Sequence, residues 1–212
     1  MRARANGLSF TNRYALQTRA RAWGPLRLGP KRLSYGLCGG MCYTALDYFH
    51  AGLLPPALHY PPASGTPLHR YLLRRQLDSW RYATVPLRTL WWTLLNDRAL
   101  ARRTVQRELP RLLKSLNQGV PAVILLVRVR CKDPTLNHQV VVTGYTEDRE
   151  HGRVQLELYD PNHEEMDVTL TVNSLPQSEE LAATQSTGET LRGFFVLAYR
   201  PRLRGLPLAQ AD

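Results

Sequence analysis

The chain lacks any apolar run near the ~18 residues that a membrane-spanning helix needs. Its longest apolar stretch, Val120 to Val127, is strand length. The N-terminus lacks the ~7–15-residue apolar segment of a secretion signal, so the expected location is the cytoplasm. Cysteine is scarce. Cys38, Cys42 and Cys131 are an odd three, which fits a reducing compartment better than a disulfide framework. Lysine occurs only at Lys31, Lys114 and Lys132, so 25 of the 28 basic residues are arginine. No acidic residue precedes Asp47. Cys38-Gly39-Gly40 is not followed by the Lys-Ser/Thr of a phosphate-binding loop, and no cofactor is expected.

What is present fits one globular domain, or one domain in two lobes. The chain has 212 residues, of which 43% are hydrophobic, enough for a real core. The net charge is +11 with a pI of about 10.1, and it is unevenly spread. One basic block precedes Cys38, a second runs from Arg70 to Lys114, and Glu147 to Glu189 is acidic. An arginine-rich genome would produce the bias alone. An electropositive face for an acidic protein or nucleic acid is the functional reading, although no reading helix or stacking aromatic motif accompanies it.

The organisation reads as a basic N-terminal arm (1–35), a helical lobe (36–117), an antiparallel β lobe (118–200) and a tail (201–212). The arm is punctuated by Gly24, Pro25, Gly29 and Pro30 and reads as loop. Met41, Ala45, Leu46 and Phe49 recur at helical spacing after Cys38. The proline-rich stretch from Leu53 to Pro67 is a loop. Helices are predicted over 68–82 and 86–117, the second broken near Asn96-Asp97, with Pro110 interrupting it or starting a new one. Strands are predicted over Pro121–Arg130, Gln139–Thr146, Val154–Tyr159, Val168–Val172 and Gly193–Tyr199. Short connections favour an antiparallel meander.

A cysteine nucleophile needs a lowered thiol pKa, a base within reach and a group that orients the base. Cys38 opens a helix, where backbone amides stabilise negative charge. Gly39 and Gly40 beside it are expected to let a substrate backbone approach. His138 opens the strand Gln139-Val140-Val141-Val142. Asp160 closes the next strand, in Leu158-Tyr159-Asp160-Pro161-Asn162, and Asn162 is the alternative orienting group. A hairpin turning near Gly152 brings the start of one strand beside the end of the other, so His138 and Asp160 are expected at the same end.

In Gly36-Leu37-Cys38-Gly39-Gly40-Met41, Asn137-His138-Gln139-Val140-Val141-Val142-Thr143-Gly144-Tyr145 and Leu158-Tyr159-Asp160-Pro161-Asn162, the chain resembles the bacterial papain-like cysteine peptidase superfamily, near the C39-like peptidases. The resemblance spans about residues 34 to 165. It implies an α+β, papain-like fold, in which an N-terminal helical lobe carrying the cysteine helix packs on a C-terminal antiparallel β-sheet. It implies Cys38 as nucleophile, His138 as general base and acid, Asp160 as orienting carboxylate, and a peptide or acyl substrate. Such enzymes carry a glutamine oxyanion donor six residues before the cysteine, where this chain has Arg32. Arg32, Asn12 and Gln17 are the candidate substitutes. Two readings follow: a hydrolase forming a thioester acyl-enzyme, or an inactive scaffold binding an acidic protein or nucleic acid.

A metal site from Cys38, Cys42, Cys131 and His138 is disfavoured, because Cys-x3-Cys is unlike the usual Cys-x2-Cys knuckle; no metal is expected. His151 and His163 read as turn residues, with His163 near the cleft rim. His50, His59 and His69 show no partner spacing. Trp80, Trp91 and Trp92 read as core or lobe contacts.

Overall fold

The computed structural model describes residues 1–17, 21–23, 26–28, 32–81, 83–128, 137–174 and 183–208. A short helix, α1 (Ala3–Asn6), comes first. Then β1 (Tyr14–Gln17) pairs antiparallel with β4 (Arg32–Tyr35), and β2 (Arg21–Trp23) pairs with β3 (Leu26–Leu28). The sequence predicts an irregular arm here. Strands of three or four residues are too short for alternation to register, and pairing rather than pattern defines them.

The helical part is close to expectation. Helix α2 spans Cys38–His50 and α3 spans Pro67–Trp80, the latter capped by Thr66, whose hydroxyl accepts from the His69 amide. Next come α4 (Thr84–Leu94) and α5 (Asp97–Arg103), separated where Asn96 caps α5 by accepting from the Ala99 amide. Pro110 does not break the next helix. It lies in the first turn of α6 (Leu109–Asn117), directly after a π-helical turn, Thr104–Glu108. Proline cannot donate to the carbonyl four residues back and crowds it, and a widened turn relieves both.

Strands β5 (Ala122–Arg128), β6 (His138–Asp148), β7 (Arg153–Tyr159), β8 (Val168–Asn173), β9 (Ala183–Gln185) and β10 (Thr190–Val196) follow. They form a closed antiparallel barrel in the order β10-β5-β6-β7-β8-β9. This corrects the predicted papain-like packing of a helical lobe on an antiparallel sheet. The closing element is β9, which pairs with β8 and with Thr190 and Leu191 of β10. Three residues carry no readable alternation, so the sequence leaves the sheet open.

Ile124, Leu126, Val140, Val142, Leu156, Leu158, Leu170 and Phe194 belong to the cluster that fills the barrel, to which α6 adds Leu109 and Leu112. Val123, Leu125, Val127, Val141 and Phe195 face outward against α2 and α4. β5 is therefore buried on both faces, which explains its unbroken apolar run. Beyond Leu191, where β9 no longer covers β10, the amide of Phe194 donates to Thr104 Oγ1 (3.2 Å) and that of Val196 to Glu108 Oε2 (2.9 Å). The π-turn thus covers a sheet edge that would otherwise leave buried donors unpaired.

Helices α2 and α3 are locked by the buried Asp47. It accepts from the hydroxyls of Tyr71 (2.9 Å) and Tyr199 (2.7 Å) and the amide of Arg202 (2.8 Å), and it pairs with Arg75 (2.7 Å). The helices approach closely because Gly40 has no side chain: a Cβ there would lie 2.3 Å from the Leu72 carbonyl oxygen. The clash is with backbone, so the helices must separate. Gly40→Ala is expected to destabilise the fold by about 1–3 kcal/mol, measured by denaturant unfolding. An unchanged unfolding midpoint would contradict this packing.

Candidate active site

Strand β4 leads through Gly36 and Leu37 into α2, so Cys38 occupies the first helical position. The free amides of that turn are nearly all engaged. Met41 N donates to Leu37 O (2.8 Å) and Gly40 N to Gln76 Oε1 (2.8 Å), while the amide of Gly39 hydrogen-bonds the Cys38 sulfur. The N–H of Cys38 itself has no partner among the described residues. Gly39 and Gly40 are small for a different reason from the expected one. They admit α3 rather than a substrate: a Cβ at Gly39 would lie 2.3 Å from Ser79 Oγ and 2.5 Å from Gln139 Oε1.

His138 begins β6, paired with Leu126 of β5. It shares the parity of Val140 and Val142, whose side chains are inside the barrel, so its ring is at the barrel mouth. The β6–β7 hairpin pairs Val141 with Tyr159, which puts the start of β6 beside the end of β7. Asp160 follows immediately, on the side of Leu158. His138 Nε2 and Asp160 Oδ1 are 2.6 Å apart, and both side chains are buried. Asp160 also accepts from the Asn162 amide (2.8 Å) and, through Oδ2, from Gln185 Nε2 (2.8 Å). With Nε2 engaged by Asp160, the remaining ring nitrogen of His138 is left for Cys38, and the two side chains are near enough to shift each other's ionisation.

The electrostatics follow from this chain of contacts. Burial alone would raise the Cys38 thiol. The hydrogen bond and charge of His138, with amides of Gln139 and Gly39, bring it below its ordinary value. Burial would lower His138, but the charge and hydrogen bond of Asp160, with Cys38, raise it to about 10. Burial would raise Asp160, but His138, the Asn162 amide and Gln185 pull it down to about 2. The linkage to stability has opposite signs at the two ends. The Asp160 contribution is present above its ordinary value and lost as pH falls through about 2. The His138 contribution is present below its ordinary 6.5 and lost as pH rises through about 10.

Cys42, one turn along α2, behaves in the opposite way. Its Sγ donates to the Gln139 carbonyl oxygen at 3.3 Å, and burial, then the nearby Cys38 and Asp160, push its pKa well above the ordinary value. Cys38 and Cys42 are both free thiols. Cys131, the third ligand of the metal set considered above, lies outside the described residues. Among the described residues no group of three His, Cys, Asp or Glu side chains could hold a metal ion.

The remaining candidates have other positions. Asn162 Oδ1 accepts from Asn12 Nδ2 (3.1 Å). Asn12 is a brace: its Oδ1 accepts from the Leu37 amide and its own amide donates to Pro161 O (3.0 Å), so it ties the Cys38 turn to the Asp160 loop. Gln17 and Arg32 oppose each other in the β1–β4 pair, at the end away from Tyr35; their side chains lie outside the described part of the structure. His163 lies in the turn after Asp160, its amide donating to Asp160 O (2.9 Å), and His151 pairs with Asp148 at the far end of the hairpin. Three glutamines escaped sequence reasoning: Gln76, Gln139 and Gln185. Gln139 could have been found, as a polar residue heading a fully apolar buried strand. Gln185, in a three-residue strand, gave no signal.

Comparison with protein-family models, with curated proteins and with solved structures finds no match to this chain, so the site is read from its own chemistry. Iodoacetamide near neutral pH is expected to label Cys38 at least ~10-fold faster than Cys42, as followed by peptide mass spectrometry. The Cys38 rate should rise through its lowered pKa and then level off until His138 titrates near pH 10. Equal, slow labelling of the two thiols would contradict the assignment.

Proposed function

We propose that the protein is a cysteine hydrolase that cleaves an amide or related acyl bond of a peptide or acyl substrate through a thioester acyl-enzyme. The observation that carries the reading is the His138 Nε2–Asp160 Oδ1 pair at 2.6 Å, set beside a Cys38 thiol whose pKa the imidazole lowers. In this reading the Cys38 thiolate attacks the carbonyl carbon, and the carbonyl π electrons move to oxygen. His138, as imidazolium, gives its proton to the leaving amine or alcohol as the tetrahedral intermediate collapses to the thioester. Neutral His138 then takes a proton from water. The resulting hydroxide attacks the thioester, and the cysteine thiolate leaves and re-forms its ion pair. Asp160 keeps the ring oriented and stabilises its charged form.

The N–H of Cys38, which has no partner among the described residues and heads a 13-residue helix, supports the same reading. In this reading it serves as an oxyanion donor, and one such donor is worth ~10²–10³ in rate. We place the protein in the cytoplasm, a reducing compartment that keeps the thiol active.

The test is acylation by an electrophilic acyl probe and by activated esters, followed by intact mass spectrometry. Wild type should gain one acyl group at Cys38, and Cys38→Ser should gain none there. His138→Ala should acylate more slowly by on the order of 10²–10⁴-fold. Equal acylation of wild type and His138→Ala would contradict the mechanism.

A further inference from the structure

Helix α4 is apolar on two sides. Val85 and Trp92 are in the core, while Leu87, Leu90, Trp91 and Leu94 recur at i, i+3, i+4 and i+7 on the opposite face. A helix hydrophobic all round is ordinarily enclosed, yet Leu87 is 65% exposed, Trp91 46% and Leu94 76%. Helix α3, joined to α4 by a short turn, does the same. Leu73, Leu77 and Trp80 line its outer face, with Leu77 61% and Trp80 44% exposed. Of the three tryptophans read as core or lobe contacts, Trp92 is in the core, while Trp80 and Trp91 are partly exposed. Large contiguous exposed apolar faces mark interaction sites.

The charge around these helices restricts the partner. Residues 67–117 contain ten arginines and one lysine against three carboxylates. All three carboxylates are held by arginine: Asp78 by Arg75, Glu108 by Arg88 and Asp97 by Arg192. Arg70, Arg74, Arg81, Arg98, Arg102 and Arg107 are exposed, and Arg103 stacks on Trp91, 4.6 Å from the ring centroid. A second copy of a chain of charge +11 would meet this surface with its own positive charge. Nucleic acid offers phosphate without an apolar layer. An anionic bilayer offers both at one plane: phosphates for guanidinium groups, an acyl region for leucines, and a boundary for tryptophan.

We propose that the outer faces of α3 and α4 dock the protein on an anionic lipid surface. The helices lie on the bilayer rather than cross it, since no helix among the described residues is long and apolar enough to span one. Binding is independent of turnover at Cys38.

The experiment is co-sedimentation of the full chain with vesicles of phosphatidylcholine alone or with phosphatidylglycerol, at two salt concentrations. Binding should require phosphatidylglycerol and weaken with salt. Leu90→Ser/Leu94→Ser should weaken it at least ~10-fold while leaving iodoacetamide labelling of Cys38 unchanged. Arg98→Glu/Arg102→Glu should weaken it also. Tryptophan quenching by brominated phosphatidylglycerol, done on wild type, tests insertion without any variant. Absence of binding and quenching would overturn the proposal. So would equal binding to neutral vesicles, a dimer that the leucine variant dissolves, or tight capture of a polyglutamate peptide or DNA duplex through the same leucines.

Discussion

The docking of α2 on β6 at Gln139 is the contact on which both fold and site depend. The β6–β7 ladder stops at Val141, which leaves backbone groups of Gln139 open. Helix α2 supplies partners for them from two cysteines one turn apart. Cys42 donates to the Gln139 carbonyl oxygen, and the Gln139 amide reaches the Cys38 sulfur. A helix is thereby fastened to a barrel rim through sulfur. The fastening sets Cys38 beside His138, the residue preceding Gln139. The glycines at 39 and 40 let α3 press on α2 from behind, with Gln76 bonding the first turn.

The same contact divides two like residues by environment. Both sulfurs are at one helix face near one strand residue, and burial alone would raise both. Cys38 reaches His138 and the helix-terminal amides, so its charged form is favoured. Cys42, one turn deeper, meets a carbonyl oxygen that only a protonated thiol can satisfy. The imidazolium is in turn held by Asp160, whose oxygens are filled by His138, the Asn162 amide and Gln185. Gln185 belongs to β9, the strand that closes the barrel. The strand that closes the barrel therefore also completes the carboxylate's hydrogen bonds.

That Cys38, His138 and Asp160 would lie near one another was legible in the sequence because they are at element boundaries: Cys38 at a helix start, His138 at a strand start, Asp160 at a strand end. Boundaries follow from hydrophobic periodicity, and the short β6–β7 hairpin fixed which ends meet. Barrel closure was not legible, because β9 is too short to alternate. The hairpins before Cys38 were hidden by arginines and glycines. The glycine pair was visible, but its purpose was not, since helix–helix contact is a tertiary fact. The outer apolar faces of α3 and α4 were not legible, because leucines and tryptophans on two sides of a helix do not tell a buried face from an uncovered one.

Asp160 and Cys38 together hold the His138 ring protonated through neutral pH. The most direct measurement is the protonation of the His138 ring by nitrogen NMR across pH, in wild type and Cys38→Ala. The account predicts that both ring nitrogens carry protons through neutral pH, with titration near 10, and a lower value once the Cys38 sulfur is removed. A neutral His138 at pH 7–8, titrating near its ordinary 6.5 in both proteins, would contradict it.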